Sequence, residues 1–104
     1  MSSPCIYYST FPSQNEAEAV IDFLLRRKLI ACANIMPSVV SHFRINDSVQ
    51  RSTETVVILK STRENFEKIK ETYDSMHTYE NPCLISMEIL DGSQKFLDWI
   101  KDQV

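Results

Sequence analysis

Between Ala31 and Ser61 the chain reads as extended almost without a break, and the one turn signal inside that stretch is Asn46-Asp47. Both flanks are rich in β-branched and apolar residues, Val39-Val40 on one side and Val56-Val57-Ile58-Leu59 on the other, while Asn and Asp suit a tight reversal. The pattern is a hairpin whose arms, at about fifteen residues each, would run to about 50 Å. A compact chain of this length has a diameter of only about 33 Å. The hairpin therefore bends, with Pro37 the natural place, or projects. A projecting tip would expose Val39, Val40, Phe43, Ile45 and Val49 together with unpaired strand edges, which soluble proteins cover with a partner. Self-association is the expectation.

The remaining segments fit around this hairpin. Cys5 to Thr10, bounded by Pro4 and Pro12, reads as a short buried strand. Ser13 and Glu16 have capping-box spacing, and Ala17, Val20, Ile21, Leu24 and Leu25 then recur with helical period as far as Lys28. Arg26-Arg27-Lys28 falls in the last turn, where cations favour the helix dipole. Thr62 is placed to cap a second helix with Phe66, Ile69, Tyr73 and Met76 on one stripe, ending near His77. Cys83 to Leu90 forms a fourth strand, and Asp91-Gly92-Ser93 leads into a closing helix with Phe96, Leu97 and Ile100 facing inward. The order β-α-β-β-α-β-α predicts one α+β domain, residues 1–104, of ferredoxin-like type with an additional C-terminal helix.

Composition excludes several classes of function. Apolar residues are 43% and charged residues 24%, as in ordinary globular domains. A net charge of −3 without clustered Lys and Arg argues against nucleic acid as a partner. No apolar run reaches membrane-spanning length, and Met1-Ser2-Ser3-Pro4 does not open a secretory signal, so a cytoplasmic protein with no membrane partner is expected. Three widely spaced cysteines, Cys5, Cys32 and Cys83, suit reduced thiols. A chain with a single Gly has no phosphate-cradling loop, and neither a nucleophile elbow nor a His-Glu-x-x-His motif is present. A Cys32–His77 thiolate–imidazolium pair would need the fold to bring the two together. No enzyme is expected.

Copper chemistry selects the candidate ligands. Cu(I) favours thiolate and thioether, and Cu(II) favours imidazole and carboxylate, so Cys32, Met36, His42, His77, Glu80 and Cys83 are the residues to watch. Cys32, His77 and Glu80 form the metal-site expectation, with His77 and Glu80 near each other at a surface cleft as the Cu(II) pair. Cys32 lies in an apolar strand, where a free cysteine more often packs as a small hydrophobe. A second candidate site combines Tyr79 and Trp99 as an aromatic floor with Glu54 and Lys60 as a charged pair, suited to a small-molecule ligand. His42 is expected to face solvent. No cofactor is required, and copper or another divalent cation is the candidate ion.

Four stretches resemble the CutA family: Lys28-Leu29-Ile30-Ala31-Cys32-Ala33-Asn34-Ile35-Met36-Pro37, then Glu54 with Val57-Ile58-Leu59-Lys60-Ser61-Thr62, then His77-Thr78-Tyr79-Glu80-Asn81-Pro82, and finally Phe96-Leu97-Asp98-Trp99-Ile100. The likeness covers nearly the whole chain in order. It implies a ferredoxin-like homotrimer, similar in architecture to the PII signalling proteins and associated with tolerance to divalent cations, copper especially. The chain departs from the family's usual pattern with Ser38 in place of Gly, Ile45 in place of a tip Trp, Asp47 in place of a tip Gly and Thr78 in place of Pro.

Overall fold

In the computed structural model, which describes residues 3–104, the strand Pro4–Phe11 (β1) alternates strictly: Cys5, Tyr7, Ser9 and Phe11 are buried and the residues between them are half-buried. This period of two places one side of the strand against helices and leaves the other against a thinner cover. Helix α1 (Gln14–Arg26) starts where Ser13 Oγ accepts the Glu16 amide at 3.3 Å, and buries Ala17, Val20, Ile21 and Leu24. It ends in a Schellman pair, the Lys28 amide donating to Leu25 O and the Leu29 amide to Leu24 O. Lys28 takes the left-handed conformation there, at φ 56°. The chain's single Gly is Gly92, so this position, Ser38 (φ 62°) and Asn46 (φ 47°) all hold left-handed backbone with side chains present.

β2 (Cys32–Ile45) and β3 (Ser48–Thr62) form the long hairpin, closed by the two residues Asn46-Asp47. Their register slips between Met36 and Val39, so the expected bend at Pro37 is a bulge with Ser38 at its centre. The sheet order is β2-β3-β1-β4, antiparallel throughout, with β3 inserted between β1 and β2 in the split β-α-β manner. The fold thus matches the α+β expectation, including the extra C-terminal helix.

Helix α2 spans Phe66–Met76 and buries Ile69, Thr72 and Tyr73. Thr62 does not cap it: a 3-10 turn over Arg63–Asn65 intervenes, and the Thr62 side chain makes no capping bond. With α1, this helix covers a core of Tyr7, Phe11, Val20, Leu24, Val57, Leu59 and Tyr73. Ser9 Oγ and the Tyr73 hydroxyl meet at 2.7 Å inside it. Among the described residues, no buried side-chain polar atom lacks a partner.

β4 is Leu84–Glu88, shorter at both ends than the Cys83–Leu90 expected. Its pairing with β1 runs from Ser9↔Leu84 to Cys5↔Glu88, and the next residue of β1, Pro4, has no N–H to offer. The last helix, α3 (Gln94–Gln103), lies against β3 and β1 from the side opposite α1 and α2. Ile100 and Val56 are buried there, outside the helix-side core. Phe96, expected to face inward, is instead 44% exposed and stacks on Trp99 at 5.5 Å. A lone helix on an open sheet has only one contact line, and Ile100 occupies it.

Candidate functional site

The loop between α2 and β4 is held by one buried histidine. His77 is 8% exposed, not the surface imidazole expected. Its Nδ1 accepts the Tyr79 amide at 3.1 Å, which leaves the proton on Nε2, and Nε2 donates to Thr10 O at 2.7 Å. The ring lies 4.3 Å from Phe11 and 4.9 Å from Tyr79 between centroids. Thr78 Oγ1 adds a bond to Glu16 Oε1 at 2.8 Å, fixing the loop to α1 as well. The turn is therefore clamped to both layers beneath it.

That clamp aims Tyr79 across the sheet at β3, where its hydroxyl donates to Glu54 Oε2 at 2.7 Å. Burial, followed by the hydrogen bond to this carboxylate, pushes the Tyr79 phenol up to about 12. Between the loop and the bent hairpin arm lies a groove of about 790 Å³, lined by Thr10, Ser41, Phe43, Glu54, Tyr79 and Cys83 among others. Strand pairing puts its sheet residues on one face: Thr10 opposite Val56, Val39 opposite Glu54, Ser41 opposite Ser52. This is the face that α1 and α2 leave uncovered. Burial, reinforced by the charge of Glu54, raises the Cys83 thiol above its ordinary range, so it is present as the neutral thiol.

The second candidate site from the sequence divides. Tyr79 and Glu54 are joined, but Lys60 is six residues along β3, about 20 Å away at strand rise. Its Nζ donates to Asn34 Oδ1 at 2.5 Å instead. Trp99 stays on α3 beside Phe96. The charged pair expected between Glu54 and Lys60 does not form, because an extended strand separates what the sequence places close together.

The metal candidates also separate. Cys32 is half-buried and pairs with Lys60, at the far end of the sheet from the His77–Thr10 contact. Glu80 is exposed in a different groove, with Lys70, Asp74 and Tyr73. Met36 is exposed on β2, and His42 is exposed on the arm, as expected, at the groove's edge. Among the described residues there is no group of three His, Cys, Asp or Glu able to hold an ion. Both His77 nitrogens are engaged by backbone, so neither a thiolate–imidazolium pair with Cys32 nor a ligand role is available without breaking those bonds. The three cysteines are free thiols. The groove's other wall, Ser41, Phe43 and Ser52, was not anticipated; the alternation of arm residues after the bulge was the available signal.

The fold and this clamped loop define a small ferredoxin-like protein with an open sheet face and a projecting hairpin. Residues 5–103 match the family model described as CutA1 divalent ion tolerance protein, and the chain belongs to that family. It is 38% identical over 97 residues to the divalent-cation tolerance protein CutA of Archaeoglobus fulgidus, covering 93% of this chain and 94% of that one. The Thermus thermophilus protein of the same name is 31% identical over 93 residues, covering 89% and 90%. Among solved structures, CutA1 from Ehrlichia chaffeensis superposes with a TM-score of 0.92 at 30% identity, covering 99% of this chain and 96% of that one. A structure of CutA from A. fulgidus, described as periplasmic, gives 0.92 at 36% identity, covering 96% and 97%. The family description names tolerance of divalent ions and no reaction. No helix among the described residues is long and apolar enough to cross a membrane.

Proposed function

We propose that this chain acts as a non-catalytic, cytoplasmic homotrimer in the response to divalent-cation load, and that the assembled trimer holds copper directly. The observation that carries this reading is the placement of the soft donors. Cys32 and Met36 on β2, Met87 on β4 and Cys83 at the groove belong to the sheet face that α1 and α2 leave open, yet no three His, Cys, Asp or Glu side chains group together among the described residues of one protomer. A copper site then draws on more than one copy. On the same face Ile85 is 53% and Met87 43% exposed, which favours the association that would supply the second copy. The number three comes from the family resemblance, and three free thiols suit a reducing compartment. Cys32 ranks ahead of His77 as a ligand, since His77 must first lose two backbone hydrogen bonds.

The test is light scattering and Cu(I) titration of the reduced protein, repeated for Cys32→Ser and His77→Ala. The expected result is a mass of three protomers and copper binding abolished by Cys32→Ser. A stable monomer at micromolar concentration overturns the assembly, and retention of copper by Cys32→Ser with loss in His77→Ala overturns the ligand order.

The groove favours a second reading, a PII-like module that binds a small metabolite. Its volume of about 790 Å³ and its mixed apolar and polar wall fall within the range of small-ligand cavities.

A further inference from the structure

The chain's single Gly follows an aspartate, in the segment that joins β4 to α3. Residues 89–93 belong to no strand or helix, and Leu90, Asp91, Gly92 and Ser93 are exposed, Leu90 to 88%. Among the described residues the Gly92 amide makes no backbone hydrogen bond. An aspartate carboxyl carbon can close a five-membered ring with the next amide nitrogen, provided that nitrogen is free and its residue lets the backbone turn. Elsewhere in the chain this is hindered. Asp22, Asp74, Asp98 and Asp102 lie inside helices, where the following amide is bonded one turn back. Asp47 precedes Ser48, whose Cβ and strand pairing restrict it. Asn81 precedes Pro82, which has no N–H.

We propose that Asp91 is a site of spontaneous isomerisation to isoaspartate, and that the product loosens α3. The Gly92 nitrogen gives up its proton and bonds to Asp91 Cγ, and one carboxyl oxygen leaves as water, forming a succinimide. Water then opens the ring. Breaking the new bond to Cγ restores aspartate, whereas breaking the bond to the main-chain carbonyl carbon leaves the chain running through Cγ. Water is consumed as it was released, so mass is unchanged and no other reactant is needed. The main chain gains one methylene, about 1.5 Å, directly before α3. That helix is lightly held at this end: Ser93 makes no side-chain cap, and Ile100 is its one buried residue. Gly92 lies so close to Leu97 that a Cβ there would stand 3.3 Å from Leu97 Cδ2, a contact that a lengthened chain displaces.

Ageing the full chain at physiological temperature and mildly acidic to neutral pH, followed by tryptic digestion, tests the site. The peptide ending at Lys95 should divide with time into two species of equal mass, the second accepting a methyl group from an isoaspartyl-specific carboxyl methyltransferase. Asp91→Glu, whose ring would need six members, should abolish that species. Asp91→Asn, from which ammonia leaves more readily than water, should speed its appearance several-fold. Urea midpoints read from the fluorescence of Trp99, the chain's one tryptophan and a residue of α3, should fall as the second species accumulates in wild type and stay constant in Asp91→Glu. A single species after ageing, or methyl acceptance that persists in Asp91→Glu, overturns the site. Isoaspartate at Asp91 with an unchanged Trp99 midpoint overturns the effect on α3.

Discussion

The base of the sheet and its hairpin arm are continuous in β2 and β3 but differ in what holds them. At the base, Tyr7, Phe11, Val57, Leu59 and Tyr73 are buried against α1 and α2, and the polar atoms enclosed with them are hydrogen-bonded. Beyond the bulge at Ser38 the arm keeps its ladder as far as Ile45↔Ser48 but has no helix over it. Ile45 is 54% and Val49 71% exposed. The arm's backbone is satisfied, while its apolar side chains are not. The protomer's stability therefore resides in the base, and the exposed apolar side chains of the arm add little to it.

Truncation tests this contrast most sharply. Ile69→Ala, beneath the helix layer, should cost about 2–5 kcal/mol through lost burial and a cavity, measured by urea denaturation at fixed protein concentration. Val49→Ala at the arm should change stability by less than about 0.5 kcal/mol when measured at a dilution where light scattering gives the mass of one protomer. A comparable loss at both sites would mean that the arm is already covered in solution.

A smaller effect appears in alkali. Burial pushes the Tyr73 phenol up to about 12 despite the bond from Ser9, against an ordinary value near 10. A raised folded value means that the folded state retains the proton longer than the unfolded state does. Its contribution is thus complete below about pH 10 and lost as pH rises through about 12, on the order of 2–3 kcal/mol. Urea midpoints from pH 9 to 12 should fall in that window. In Tyr73→Phe, compared with its own value at pH 9, the fall should be shallower; an unchanged slope would remove Tyr73 as its source.

The smallest effect is expected at the joint between base and arm. Ser38 holds φ 62° at the bulge, a conformation costing a residue with Cβ roughly 1 kcal/mol, which Gly relieves at the expense of unfolded-state entropy. Ser38→Gly should leave stability within about 1 kcal/mol of wild type, whereas Ser38→Val should lower it by more. If Val is tolerated as well as Gly, the bulge does not require the left-handed backbone.

Much of the fold was legible because its signals are local. The Ser13–Glu16 cap, the period of α1, the turn at Asn46-Asp47 and the order of the elements each depend on residues a few positions apart. The end of β4 was less legible, since it is set by Pro4 on another strand, and the exposure of Phe96 depends on α3 lying alone on its face. The site was legible only in its parts. Sequence alone determined that Glu54, Tyr79, His77, Cys32 and Lys60 were the chemically able residues, and that His77 and Tyr79 share a short loop. Tertiary structure decided that His77 is a buried tie with both nitrogens engaged, that Glu54 meets Tyr79 while Lys60 meets Asn34, and that Cys32 stands at the far end of the sheet. The reason is geometric: an extended strand separates neighbours at about 3.3 Å per residue and alternates their faces, whereas antiparallel pairing joins residues dozens of positions apart.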